Sequence, residues 1–225
     1  MGATSEQGSD ADSDEKPTHT VTLSNYSIGE TEVTQALWQA VTGQTPNSDD
    51  GDSRWISSYG LGANRPAYYV SRNDCQEFIK KLNSITGENF RLPTEAEWEF
   101  AARGGNKSRG YKYAGSNTID NVAWYYDNSF NKWGSPDHGT HNVATKQANE
   151  LGLYDMSGNV WEWCSDRHGS YSSGSQTNPK GPSSGNARVY RGGSWIDSAR
   201  YCRLSYRRNS DPANRIRSMG LRLAL

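Results

Sequence analysis

The sequence predicts an α+β chain with few helices, short strands and much irregular loop, on three observations. Helical patterns occur in three stretches before Gly105 and nowhere after it. Beyond Gly105 the chain carries only short alternating runs separated by long polar loops, such as residues 171–184, rich in Ser and Gly. Hydrophobic residues make up only 33% of the chain, and mean hydropathy is −0.92. Much of the chain must therefore be solvated, and the core must rest on aromatics: eight Trp and thirteen Tyr against four Phe.

The elements follow in order. The first sixteen residues, MGATSEQGSDADSDEK, hold five acids and one Lys, and no apolar residue larger than Ala after Met1. Residues 1–17 are expected to be disordered, either as an acidic tether between an anchor and a folded head or as an ordinary frayed N-terminus. No linker splits the remainder, so residues 18–225 are expected to form a single domain. Thr34 caps a helix that runs through Trp38 to about Thr42 and ends at Gly43. Ser71 caps a second, with Asp74 three residues on. Its stripe of Cys75, Phe78, Ile79, Leu82 and Ile85 keeps helical spacing up to Gly87. Thr94 caps a third with Glu97 completing a capping box, and Gly104 follows its end. Val160–Trp163, Val189–Tyr190 and Leu221–Leu225 alternate like strands.

Composition excludes several classes. Net charge is −1, against general nucleic-acid affinity. No apolar run approaches the ~20 residues of a membrane span. Residues 188–222 nevertheless hold nine Arg against two Asp; bidentate bonds that tie loops down are the expected use. Three cysteines (Cys75, Cys164, Cys202) allow at most one internal disulfide, and no CxxC, HExxH, Walker or dinucleotide-binding motif is present. His19, His138, His141 and His168 have no obvious partners and are expected at the surface.

The C-terminal segment carries the most information. Arg191-Gly192-Gly193-Ser194-Trp195 and Met219-Gly220-Leu221-Arg222-Leu223 bracket a run with no Lys, Glu, Gln, Met or Trp between Ile196 and Ser218. Nearly every residue there can be encoded by a codon ending in a pyrimidine, as if Asn codons had been randomised at their adenines. The positions that read so are Ile196, Asp197, Ser198, Tyr201, Leu204, Tyr206, Arg208, Asn209, Ser210, Asp211, Ala213, Asn214, Ile216, Arg217 and Ser218. Trp195, Arg200, Cys202, Arg203, Arg207, Pro212 and Arg215 read as fixed frame. Tyr and Arg amid Ser, Asp and Asn resemble the composition of binding loops, which makes Tyr201, Tyr206 and Arg208 the expected hot spots.

Four motifs resemble one family: Glu32-Val33-Thr34-Gln35; Arg91-Leu92-Pro93-Thr94-Glu95-Ala96-Glu97-Trp98-Glu99; Gly152 to Trp163, which reads GLYDMSGNVWEW; and the RGGSW segment with its closing Gly220-Leu221-Arg222. Together they resemble the formylglycine-generating-enzyme (sulfatase-modifying factor) family over roughly residues 20–225. The resemblance implies a C-type-lectin-type fold in an elaborated form, with short antiparallel strands. It also implies two cysteines, at the third and eighth positions after the RGGS serine, that bind copper in the oxidase members. Here those positions are Asp197 and Cys202. One thiolate cannot supply the paired soft site Cu(I) prefers, so the chain is expected not to be an enzyme. Cys202 is then a buried thiol or half of a bridge to Cys164 or Cys75.

No cofactor is required on this reading. A structural calcium is the metal the resemblance implies, at the Asp155 side chain, the Gly158 and Val160 carbonyls and the Glu162 carboxylate. The alternative is that Asp155 and Glu162 pin the loop through hydrogen bonds. The segment 191–222 also resembles the variable region of proteins diversified by retroelements, which use this fold. The resemblance implies a monomeric binding protein at the cell surface or outer membrane, held by a lipidated N-terminus absent from this chain. Its partner would be an unidentified protein or cell-surface ligand. A cysteine oxidase and a calcium-dependent lectin are the alternatives; the EPN or QPD tripeptide of sugar-binding lectins does not occur.

Overall fold

A computed structural model describes residues 1–45 and 55–225. Three α-helices form where the caps lie. In α1 (Gln35–Thr42) the Thr34 hydroxyl accepts from the Leu37 N–H, and Gly43 ends the helix at φ 75°. In α2 (Arg72–Thr86) Ser71 and Asp74 complete a capping box; in α3 (Glu95–Ala102) Thr94 and Glu97 do the same. Cys75, Phe78, Ile79 and Leu82 are buried along α2, and Phe78 stacks on Trp38 of α1 at 4.9 Å. Ile85 departs from the expected stripe: it is 67% exposed, so the last turn of α2 runs clear of the core.

The strands are β1 (Val21–Thr22), β2 (Trp161–Arg167), β3 (Gln176–Thr177), β4 (Arg188–Arg191), β5 (Arg207–Ser210) and β6 (Met219–Gly220). The main sheet has the order β5-β4-β2-β6. Its β2/β4 and β4/β5 pairs are antiparallel, with Glu162 opposite Arg191 and Tyr190 opposite Arg208. Beside the expected antiparallel pairs, β6 runs parallel to β2, and β1 and β3 form a separate parallel pair. The chain reaches β6 by a long excursion rather than a hairpin, which permits the parallel approach. The expected strand Leu221–Leu225 is reduced to bridges from Ala224 to Ile28 and Arg91.

Aromatics do dominate the core: Trp98, Trp163, Trp195, Tyr68 and Phe78 are among its largest fully buried side chains. Three arginines, Arg191, Arg203 and Arg222, are buried as completely. Arg191 donates to Glu95 at 3.0 Å and to Glu99 at 2.6 Å. Arg207 forks onto Glu95 at 2.7 and 2.6 Å, and Arg222 onto Glu162 at 2.8 and 3.0 Å. These pairs tie α3 and the N-terminal loops to the sheet, so much of the arginine excess near the C-terminus is scaffold.

The N-terminal tether is corrected. Residues 1–17 fold onto the domain in two 3-10 turns, Ser5–Asp10 and Ser13–Glu15. Glu15 is fully buried and accepts from Arg203 at 2.6 and 2.9 Å. Gln7 is also fully buried and accepts from the Ser205 hydroxyl. Of the acids that read as solvated charge, Glu15 and Asp12 pair with Arg203 and Arg200, Glu6 with Arg103 and Asp10 with Lys112, all at least 97 residues away.

Candidate ligand-binding surface

The C-terminal segment begins where β4 stops. Gly193 sits at φ 74°, and a Cβ there would lie 2.6 Å from the Cys202 sulfur, so only Gly lets the chain turn this close to that thiol. Trp195 is then buried against Tyr59, Phe130 and His138, and its indole donates to the Arg217 carbonyl at 3.2 Å. The segment is thereby pinned at both ends of its excursion. Between the pins it makes a 3-10 turn (Ala199–Cys202), enters β5, and turns again at Asp211, whose carboxylate accepts from the Ala213 N–H at 2.8 Å.

Most of the positions that read as randomised face outward. Ser198, Arg208, Asn209, Asp211, Ala213, Asn214 and Ile216 are exposed; Ile196, Asp197, Tyr201, Ser210 and Arg217 are half-buried. Leu204, Tyr206 and Ser218 are buried, so they are corrected as contact residues. Leu204 packs with Trp98, Met156 and Val189 in the core. Tyr206 lies beneath the surface as a support. Tyr201 meets its ring edge-on at 4.9 Å, and its hydroxyl accepts from Arg208 Nε at 3.0 Å. Tyr201 and Arg208 remain as presented hot-spot candidates. Of the frame residues, Trp195, Cys202, Arg203 and Arg207 are buried, while exposed Arg200 and Arg215 pair with Asp12 and Asp74.

Neither member of the oxidase pair is disposed for copper. Asp197 turns inward: its carboxylate accepts from the Trp161 indole at 2.8 Å and from the Ser194 hydroxyl. Burial raises its pKa despite those bonds. Cys202 is a free, fully buried thiol, as are Cys75 and Cys164. Burial, reinforced by the Asp197 charge, pushes Cys202 well above the ordinary thiol range. A carboxylate engaged by an indole beside one thiol is not the paired soft-ligand set that Cu(I) prefers.

Of the two carboxylates named for calcium, Glu162 is engaged within the protein and Asp155 keeps one oxygen open. Both Glu162 oxygens accept from Arg222, and one also accepts from the Trp98 indole at 2.6 Å. Asp155 accepts from the Ala144 N–H at 2.8 Å with one oxygen and leaves the other buried without a partner. Burial pushes Asp155 up to about 6. Between Gly158 and Val160 the loop is instead held by Glu32, which accepts from the Val160 N–H at 3.1 Å and the Asn159 amide at 2.8 Å. Glu32 stood in a quoted motif without a role; its partners lie too far along the chain to be seen locally. Among the described residues no cluster of three or more His, Cys, Asp or Glu is placed to hold a metal.

The histidine expectation is corrected as well. His19, His138 and His141 are buried and His168 is partly so. His138 packs edge-on against Trp195. His141 stacks on Trp124 at 3.6 Å, and burial lowers its pKa to about 4. Residues outside the segment that sequence reasoning missed also border the surface. Tyr59, Tyr69 and the loop bearing Tyr126 and Phe130 all approach it, the Tyr126 N–H donating to the Asp197 carbonyl at 2.9 Å.

An α+β frame fixed by buried ion pairs, carrying an irregular loop surface over a broken thiol pair, defines an elaborated C-type-lectin-type fold. The chain belongs to the sulfatase-modifying factor enzyme 1-like family, whose model matches residues 1–225. It is 36% identical over 220 residues to chaperone protein LppX of Paenibacillus barcinonensis, covering 83% of this chain and 75% of that one. It is 31% identical over 275 residues to the formylglycine-generating enzyme of Streptomyces coelicolor, covering 100% and 85%. Among solved structures it is similar to Treponema denticola variable protein 1, with a TM-score of 0.76 and 37% identity over 92% of this chain and 86% of that one.

Proposed function

We propose that this chain is a non-catalytic binding protein displayed at a cell surface. Its segment 191–222 is diversified by a retroelement through adenine-directed mutagenesis to meet varied partners. One observation carries the reading: the positions that read as randomised lie mostly at the surface, over a buried frame of Trp195, Cys202, Arg203 and Arg207. Of the fifteen such positions, seven are exposed and five half-buried. Similarity to a protein named for its variability supports the same reading. The partner is a protein or other cell-surface ligand, met by a monomer through Tyr201, Arg208 and their exposed neighbours; nucleic acid is not expected. A lipidated N-terminus is the proposed anchor. Among the described residues no helix is long and apolar enough to cross a membrane.

Deep sequencing of the codons for residues 191–222 in a population of source cells tests this. Scatter confined to the named positions, matched by adenines in a nearby template copy, is the expected result. One invariant sequence without a template copy sinks it. Similarity to the Streptomyces enzyme favours a second reading, a cysteine oxidase. That reading needs tight Cu(I) binding, or oxygen consumption with a Cys-containing peptide, from a protein that has Asp197 where a thiol is required.

A further inference from the structure

Beside the exposed loop lies a cleft of ≈ 550 Å³ lined by Tyr59, Tyr69, Ile196, Arg215, Ile216, Arg217 and Ser218. Three of these seven residues, Tyr59, Tyr69 and Arg215, belong to no randomised position. Tyr69 stands out among the fixed residues. Its φ is 59°, a left-handed conformation that bulky side chains avoid. The backbone on either side is clamped: the Trp55 indole donates to the Tyr68 carbonyl at 2.7 Å and the Trp163 indole to the Val70 carbonyl at 3.0 Å. Strain held in place this way concentrates at ligand sites.

One polar group in the cleft lacks a partner, and a second, Arg217, keeps donors to spare. Ser218 is buried, and its hydroxyl finds no hydrogen-bond partner within the protein. An unsatisfied buried hydroxyl is costly unless something entering the cleft completes it. The Arg217 guanidinium lies over the Tyr59 ring at 5.1 Å, and its side chain's one hydrogen bond among the described residues is to the Tyr59 hydroxyl at 3.3 Å. Arg215 is already paired with Asp74 through two bonds. The lining holds two arginines and no carboxylate. Its walls are aromatic and branched-aliphatic, and Ile216 is 42% exposed.

We propose that this cleft is a composite subsite for an acidic, apolar peptide segment of a protein partner. A carboxylate would fork onto Arg217 and accept from Ser218, while the adjacent apolar side chain lies between Ile196, Ile216, Tyr59 and Tyr69. The fixed tyrosines supply a constant floor, and Ile196, Ile216 and Arg217 tune it in this variant. The proposal rests on the diversified-surface reading and adds the ligand's chemistry to it.

The test uses the whole chain and two fluorescein-labelled tetrapeptide pools read by anisotropy. One pool has Asp or Glu beside Leu, Ile or Phe; the other has Asn or Gln in place of the acid. The expected result is binding of the acidic pool about tenfold tighter than the amide pool. That preference should vanish in Arg217→Gln. Ile216→Asp, at a position exposed enough to spare the fold, should weaken binding by a similar factor. Equal binding of both pools, or undiminished binding by both variants, overturns the proposal. So does displacement of the peptides by hexanoate at the same concentration, which would make the occupant a small free acid. Full binding in Arg217→Gln and Ile216→Asp with loss in a Ser198→Arg, Asn209→Arg protein would overturn the cleft while leaving a diversified surface in place. Failure of that broader reading is seen separately, in the codon survey.

Discussion

Glu15 is an acid that composition assigns to water and that the fold assigns to the interior. Its neighbours Asp10, Asp12 and Asp14 are at or near the surface, yet its own side chain is fully buried with both oxygens on Arg203 and one also on the Ser205 hydroxyl. Arg203 is in turn a fixed frame residue of the C-terminal segment, so the chain's two ends hold each other. A buried pair adds little over a well-packed apolar pair, but breaking one side strands a charge. Glu15→Ala should therefore lower unfolding stability by on the order of 3–5 kcal/mol, read from the urea midpoint. Arg200→Ala removes only an exposed pair to Asp12 and should cost under about 1 kcal/mol. A neutral Glu15→Ala would restore the disordered tether that the first sixteen residues suggest.

At the scale of elements, legibility followed distance along the chain. The three helix starts were readable because a cap and its partner lie three residues apart: Thr34 with Leu37, Ser71 with Asp74, Thr94 with Glu97. The parallel approach of β6 to β2, the Glu32 bonds to the Asn159–Val160 loop and the burial of His141 were not readable, since each joins distant segments. His141 gives the loop between Trp124 and Asp155 a measurable signature. It is stacked and neutral in the fold, with a pKa lowered from 6.5 to about 4 by burial. The unfolded chain takes up that proton below pH 6.5 and the folded chain resists it. Stability from this residue is thus complete above 6.5 and lost as pH falls toward 4, by on the order of 3 kcal/mol. Asp155 acts with the opposite sign between 3.8 and about 6, because its folded pKa is raised. The clean readout is accordingly a difference. Between pH 6.5 and 4 the urea midpoint of the native chain should fall more steeply than that of His141→Gln. Parallel slopes would mean that His141 titrates as if exposed.

For the molecule as a whole, tolerance to sequence change depends on separating what folds from what is shown. Ion pairs centred on Glu95, Glu99 and Glu162 and the buried tryptophans fix the backbone without help from the outward residues of 196–218. The separation is incomplete at Leu204, which reads as randomisable in the sequence yet fills the core beside Trp98 and Val189. Its codon class and its environment conflict, and packing physics should win. Simultaneous Ser198→Asn, Asn209→Tyr, Ala213→Ser and Ile216→Thr, all at exposed positions, should shift stability by no more than about 0.5 kcal/mol each. The single change Leu204→Ala should cost about 2–5 kcal/mol through lost burial and the cavity it leaves. Thermal and urea unfolding of the two proteins decide the matter. A fold that loses as much from the four surface changes as from Leu204→Ala could not carry a diversified segment, because each new surface would have to be refolded as well as selected.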